Sequence, residues 1–181
     1  MKQSLQTAFS CTSFLLSYPE AGWREALPEL QETIHTITNE EIRTLLTRFI
    51  KQVQNKTDEQ LIDSYVYTFD FGKKTNLYLT YMNTGEQRER GIELLELKQH
   101  YQKAGFMVTD KELPDYLPLL LEFLANATEE DCDPLISKYM KNIQALHKQL
   151  KEANCLYEPI IASVLLAIDA WDVQTNEEGA L

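Results

Sequence analysis

Apolar residues recur along this chain at three- and four-residue intervals, block after block, and that spacing predicts helices. Leu5, Phe9, Thr12 and Leu16 share one helical face, and Pro19 ends the pattern. Trp23, Leu27, Leu30, Ile34 and Ile37 form a second stripe, with Pro28 as a bend or a late start. Thr38-Asn39-Glu40-Glu41 has the form of a capping box, and the helix it opens carries Ile42, Leu46, Phe49 and Val53. Thr57-Asp58-Glu59-Gln60 repeats the device ahead of Leu61, Ile62, Tyr65, Val66 and Phe69. Gly72 is expected to close that helix in the left-handed conformation.

Further on, Thr75 is expected to cap a short helix with Leu77, Tyr78 and Tyr81, stopped by Gly85. Thr84 and Gln87 open a longer one through Leu94, Leu95, Lys98 and Tyr101, ending at Gly105, whose charged early turns should face water. Phe106 to Thr109 is a short extended or loop segment. Leu113 to Leu124 is apolar nearly all round, so it should be buried on most sides or covered by a partner, with Pro114 and Pro118 fixing its first turn. Asp133 and Pro134 then read as the start of a long helix with Ile136, Tyr139, Ile143, Leu146 and Leu150. Pro159 starts the last, with Ile161, Val164, Leu165 and Ile168. The expectation is an all-α, single-domain bundle of about eight helices over residues 1–173, with a polar, mobile tail over 174–181.

Composition supports this picture and narrows the function. Six Gly and six Pro in 181 residues supply too few turns for an all-β fold. A formal net charge of -11 leaves no basic stripe, so no nucleic-acid partner is expected. Cys11, Cys132 and Cys155 are odd in number and widely spaced, with no CxxC pair. With no signal-like N-terminus, they point to a reducing cytoplasm. The apolar run from Val164 to Ile168 is far short of the roughly 20 residues a membrane span needs, so no membrane insertion is expected.

Catalytic readings find little support. Gly72-Lys73-Lys74-Thr75 looks like the end of a phosphate-binding loop, but Tyr67 stands where the motif's first glycine belongs. Glu32 and His35 have the carboxylate–histidine spacing of a bundle di-iron site, yet His100 and His147 follow Leu97 and Gln144 at that spacing, so the required second copy is missing. No cofactor, metal or catalytic residue is assigned. Glu112, Asp115 and Glu122 remain. They are either helix caps and wet-face residues, or a carboxylate rim around an apolar groove fit for a basic amphipathic helix. The tyrosines Tyr65, Tyr67, Tyr78, Tyr81, Tyr101 and Tyr116 share that ambiguity between core and contact surface.

The run Tyr67-Thr68-Phe69-Asp70-Phe71-Gly72-Lys73-Lys74-Thr75-Asn76-Leu77-Tyr78-Leu79-Thr80-Tyr81 resembles the NarJ-type chaperones, the nitrate reductase delta subunit family. So do Arg90-Gly91 with Leu94, Leu95, Leu97-Lys98 and Tyr101, and the segment Glu112-Leu113-Pro114-Asp115-Tyr116-Leu117-Pro118 with Leu121-Glu122-Phe123-Leu124. The resemblance implies an all-α fold related to the TorD/DmsD redox-enzyme maturation proteins. It implies a cytoplasmic chaperone that binds the apo catalytic α subunit of respiratory nitrate reductase, notably its basic N-terminal segment, and holds it until molybdenum cofactor is inserted. The wider family carries a Glu-x-Pro-Asp-His signature; Glu112, Pro114 and Asp115 match it, and Tyr116 replaces the His. On this reading Tyr67, Phe71, Tyr78, Tyr81, Tyr116 and Leu120 make apolar contact with the peptide, and Glu112, Asp115 and Glu122 meet its basic side chains. Three alternatives stay open: a chaperone for another molybdoenzyme, a constitutive scaffold subunit, and a small helical hydrolase or nucleotide-using protein built around Lys73, Lys74 and the central carboxylates. Whether the chain forms a homodimer is also open.

Overall fold

The computed structural model describes residues 2–72, 74–82, 87–109 and 111–178. Eight α-helices run through them: α1 (Lys2–Leu16), α2 (Leu27–His35), α3 (Glu40–Gln54), α4 (Asp58–Tyr65), α5 (Gln87–Lys103), α6 (Leu117–Asn126), α7 (Glu129–Glu152) and α8 (Glu158–Glu178). A π-helical turn, Val66–Asp70, continues α4, and a 3₁₀ turn, Leu79–Met82, precedes α5. α1 packs along α6 and α8, and α8 also packs on α3 and α7, so these helices enclose the core. The expected stripes are its substance: Phe9, Leu16, Ile42, Phe49, Tyr139, Leu146, Ile161 and Ile168 are all buried.

Local chemistry sets most helix ends. Thr57 and Gln60 form the expected capping box, each side chain taking the other's backbone N–H, at 3.2 and 3.0 Å. Gly105 sits at φ +85°, a left-handed stop after α5 that a side chain would strain. Pro28 lies in the first turn of α2, which makes it a late start and leaves Trp23 in the preceding turn.

Four expectations about ends are corrected. Asn39, not Thr38, caps α3, accepting from the N–H groups of Glu41 and Ile42, while the Thr38 backbone N–H goes to Ser4 Oγ on α1. Thr128 caps α7 by accepting the Asp131 N–H, so Pro134 lies inside the helix and Asp133 is free to accept the Trp171 indole N–H at 2.9 Å. Thr75 donates to the Thr68 carbonyl and does not cap the next turn; the Asn76 side chain accepts the Tyr78 N–H instead. Gly72 is not left-handed, and its constraint is contact: a Cβ there would collide with Thr75 Oγ1 and the Thr68 carbonyl.

α8 runs to Glu178, beyond the point where the sequence places a tail, and residues 179–181 lie outside the described residues. So do Lys73, Thr84 and Gly85 of the readings above. Among the described residues no helix is long and apolar enough to cross a membrane.

Candidate functional site

The segment before α6 is tied to the segment before α5 by an isolated antiparallel bridge between Tyr78 and Tyr116. The Leu79 N–H donates to the Asp115 carbonyl at 3.0 Å, and the Leu117 N–H to the Leu77 carbonyl at 2.8 Å. Pro114 lacks an N–H, but its carbonyl accepts from Tyr101 Oη at 3.0 Å. The Leu79 carbonyl accepts from the Asn142 side chain of α7 at 2.8 Å. Backbone groups with no helical partner are therefore paired across four elements, which fixes this polar junction inside the bundle.

Tyrosines extend the junction outward and inward. Tyr78 Oη donates to Glu112 Oε2 at 2.7 Å at the surface. The Tyr78 and Tyr116 rings lie 5.3 Å apart, and Tyr116 Oη meets Tyr65 Oη at 2.9 Å. Tyr65 Oη donates to the Leu16 carbonyl at 3.0 Å. Burial pushes the pKa of all three phenols up, helped at Tyr78 by its bond to the Glu112 carboxylate. They stay neutral donors across the physiological range.

Asp115 does not stand on an open rim. It is fully buried, and its Oδ2 accepts both the Thr80 N–H at 3.0 Å and the Thr80 Oγ1–H at 2.6 Å. Nor does it cap α6, whose N-cap position is Tyr116, with no side-chain capping bond. Leu120 is buried too, because α6 is apolar on nearly every side and α1 lies along it. Tyr116 is half-buried, while Glu112 is exposed beside Tyr78. A cleft of about 370 Å³ opens there, between Leu94, Leu95 and Lys98 of α5 and the side formed by Val108, Lys111, Leu113 and Pro114.

The remaining site residues fall elsewhere. Tyr67 and Phe71 are 79% and 75% exposed, the least covered aromatics among the described residues. They flank a separate cavity of about 390 Å³ with Leu150, Leu156, Thr68 and Cys155 in its wall. At helical spacing Tyr65 and Phe69 face inward against Tyr157, and Tyr67 and Phe71 fall on the opposite side of the helix and its π turn. Tyr81 is half-exposed beneath the Arg90 guanidinium, 5.8 Å from its ring centroid. Glu122 lines a third cleft, with Phe106 and the fully exposed Met107. The single groove of the sequence reading is thus divided among three surfaces.

Sequence reasoning missed Leu156, Cys155 and Arg90. The first two come from the far end of the chain and carry no local signal. Arg90 sits in a turn whose charge pattern reads as solvated. Among the described residues no group of three or more His, Cys, Asp or Glu side chains could hold a metal ion.

The three cysteines are unpaired. Burial pushes the Cys11 thiol up to about 11 and the Cys132 thiol up to about 12. Both therefore carry almost no thiolate at pH 8. A colorimetric disulfide reagent at pH 8 should label one thiol rapidly in the native protein, Cys155, and all three in urea. Rapid labelling of a second native thiol would contradict this packing.

The family of the nitrate reductase delta subunit matches residues 18–155. The chain is 47% identical over 176 residues to a probable nitrate reductase molybdenum cofactor assembly chaperone, NarJ, of Bacillus subtilis, covering 97% of this chain and 96% of that protein. It is 32% identical over 121 residues to the nitrate reductase molybdenum cofactor assembly chaperone NarJ of Escherichia coli K12, covering 66% of this chain and 51% of that one. A nitrate reductase-like protein, NarX, of Mycobacterium tuberculosis matches over 156 residues at 33% identity, with only 23% of its own length involved.

Proposed function

Because the chain belongs to the nitrate reductase delta subunit family, we propose that it is an assembly chaperone for a nitrate reductase, acting in molybdenum cofactor insertion. It works by binding, not by catalysis, and its client is the apo catalytic subunit in the cytoplasm, held before membrane docking. The contact includes the client's basic N-terminal segment.

The observation that carries the binding reading is the pair Tyr67 and Phe71, held out in solvent beside an apolar cavity. Large rings left uncovered beside an apolar cavity suit a partner. An amphipathic helix can lay its apolar face on them. Asp63, one turn before Tyr67, and Asp70, beside Phe71, are both exposed and would face its basic residues. Net charge of -11 favours the same encounter over long range. Glu112 and Tyr78, in their own cleft, offer a second contact of the same kind.

Calorimetric titration with a synthetic peptide of the nitrate reductase catalytic-subunit N-terminus, at two salt concentrations, tests this. Binding should weaken with salt, because exposed charge pairs contribute, and show a negative heat-capacity change from apolar burial. No binding at either salt would move the client contact away from that segment.

A further inference from the structure

The first half of α5 is fastened to the bundle largely by polar groups. None of its described side chains before Leu97 is buried. Glu93 accepts from Tyr139 Oη at 3.2 Å and faces Lys138 Nζ at 3.5 Å. Arg90 Nε donates to Thr80 Oγ1 at 3.0 Å. Beneath this half-helix lie three of the five buried polar side chains among the described residues: Thr80, Asp115 and Asn142.

Asp115 is incompletely satisfied there. Its Oδ2 takes both Thr80 donors, and its Oδ1, equally buried, has no hydrogen-bond partner. A buried carboxylate oxygen left without a donor is costly. The nearby Arg90 does not supply one. Its Nη2 stands 3.8 Å from Oδ2, the oxygen already engaged, and its Nε is spent on Thr80. The guanidinium thus lies sideways to the carboxylate. Approaching end-on, a guanidinium can give parallel N–H bonds to both oxygens of a carboxylate. The Arg90 side chain is 31% exposed and the Asp115 side chain not at all, so Arg90 screens the carboxylate on its solvent side.

We propose that Asp115 with Thr80 forms a guanidinium site, and that Arg90 covers it in the free protein as an imperfect internal substitute which an arginine of the client displaces. This rests on the reading of the client segment as basic. Arg90 turns outward, where Tyr81 already offers its ring face, and the incoming arginine takes both carboxylate oxygens. The exchange makes selection conditional: lysine has no fork to span the two oxygens, and a neutral side chain cannot replace the covering charge.

The test compares variants in titrations with the same synthetic peptide. Arg90→Gln should bind about tenfold tighter, the factor expected if the uncovered state is populated roughly one part in ten. Arg88→Gln removes the same charge from an exposed position two residues away and should change affinity less than about twofold, by the general field alone. A peptide with citrulline for arginine should show no gain with Arg90→Gln. Equal affinities for the two variants, or weaker binding by Arg90→Gln, would overturn the proposal. Should Arg90→Gln fail to fold, the arginine Nε–H resonance of Arg90 in the ¹⁵N-labelled wild-type protein decides. It should lose its hydrogen-bonded shift when the arginine peptide is added and keep it with the citrulline peptide. An unmoved resonance in a saturated complex would also overturn it. If wild type binds no peptide at all, the reading of the basic N-terminal segment as the contact fails, and this inference with it.

Discussion

Tyr67→Ala combined with Phe71→Ala is expected to weaken binding of the client peptide by 100-fold or more and to leave the thermal midpoint nearly unchanged. Both rings are more than two-thirds exposed, so truncating them opens no void in the core. Surface substitutions of this kind shift stability by only about 0.5 kcal/mol either way. In a complex the same rings would be the buried anchors, and an aromatic anchor is worth roughly 2 kcal/mol or more when cut to alanine. Two such losses come to about 4 kcal/mol if additive, somewhat less if the neighbours share one pocket on the partner. Circular dichroism melting and calorimetric titration of the double variant read the two quantities separately. Binding kept within a few-fold of wild type would exclude the Tyr67–Phe71 face as the contact surface.

Asp115→Leu is expected to cost about 3–5 kcal/mol of stability, the range for breaking a buried charged pairing from one side. The substitution leaves the Thr80 N–H and hydroxyl without an acceptor in the bundle interior and strands the Arg90 guanidinium over an apolar side chain. Because the same stretch carries the bridge at Tyr116, the damage extends to the mount of the turn before α5. Asp115→Asn retains an acceptor for Thr80 and should cost less than half as much. Urea denaturation gives the comparison directly. A leucine variant as stable as wild type would show that the junction is not held by this carboxylate.

The two residues illustrate what a sequence makes legible here. Helical periodicity located most of the helices, because most bury one stripe and that stripe repeats in the letters; α6 was legible as an apolar run and α5 by its flanking cap and glycine signals. Thr57 with Gln60 and the left-handed Gly105 were readable for the same reason: their partners lie within a few residues. Asp115 was not. It looks like a cap or a rim carboxylate until the fold brings Thr80, 35 residues earlier, against it. Leu120 looked like a groove floor because nothing local says that α1 covers it. Tyr67 and Phe71 were expected to share one groove with Tyr78 and Glu112; they flank a separate cavity whose other wall, with Leu150, Cys155 and Leu156, comes from far along the chain. Thr38 lost the α3 cap to its neighbour Asn39 because Ser4, on another helix, claims its backbone N–H.

The packing of α1 bears on how this protein comes into being at the ribosome. Its buried face rests on α6 and α8, and the Lys2 ammonium pairs with Glu129 and lies 5.3 Å from the Trp171 ring centroid. The main partners of α1 thus follow it at long sequence separation. Contacts of such long sequence separation form slowly and late. Until α8 has emerged, α1 must wait with Phe9 and Leu16 uncovered. A nascent chain of this protein therefore passes through a period of exposed apolar surface, the same hazard that it would shield in its client.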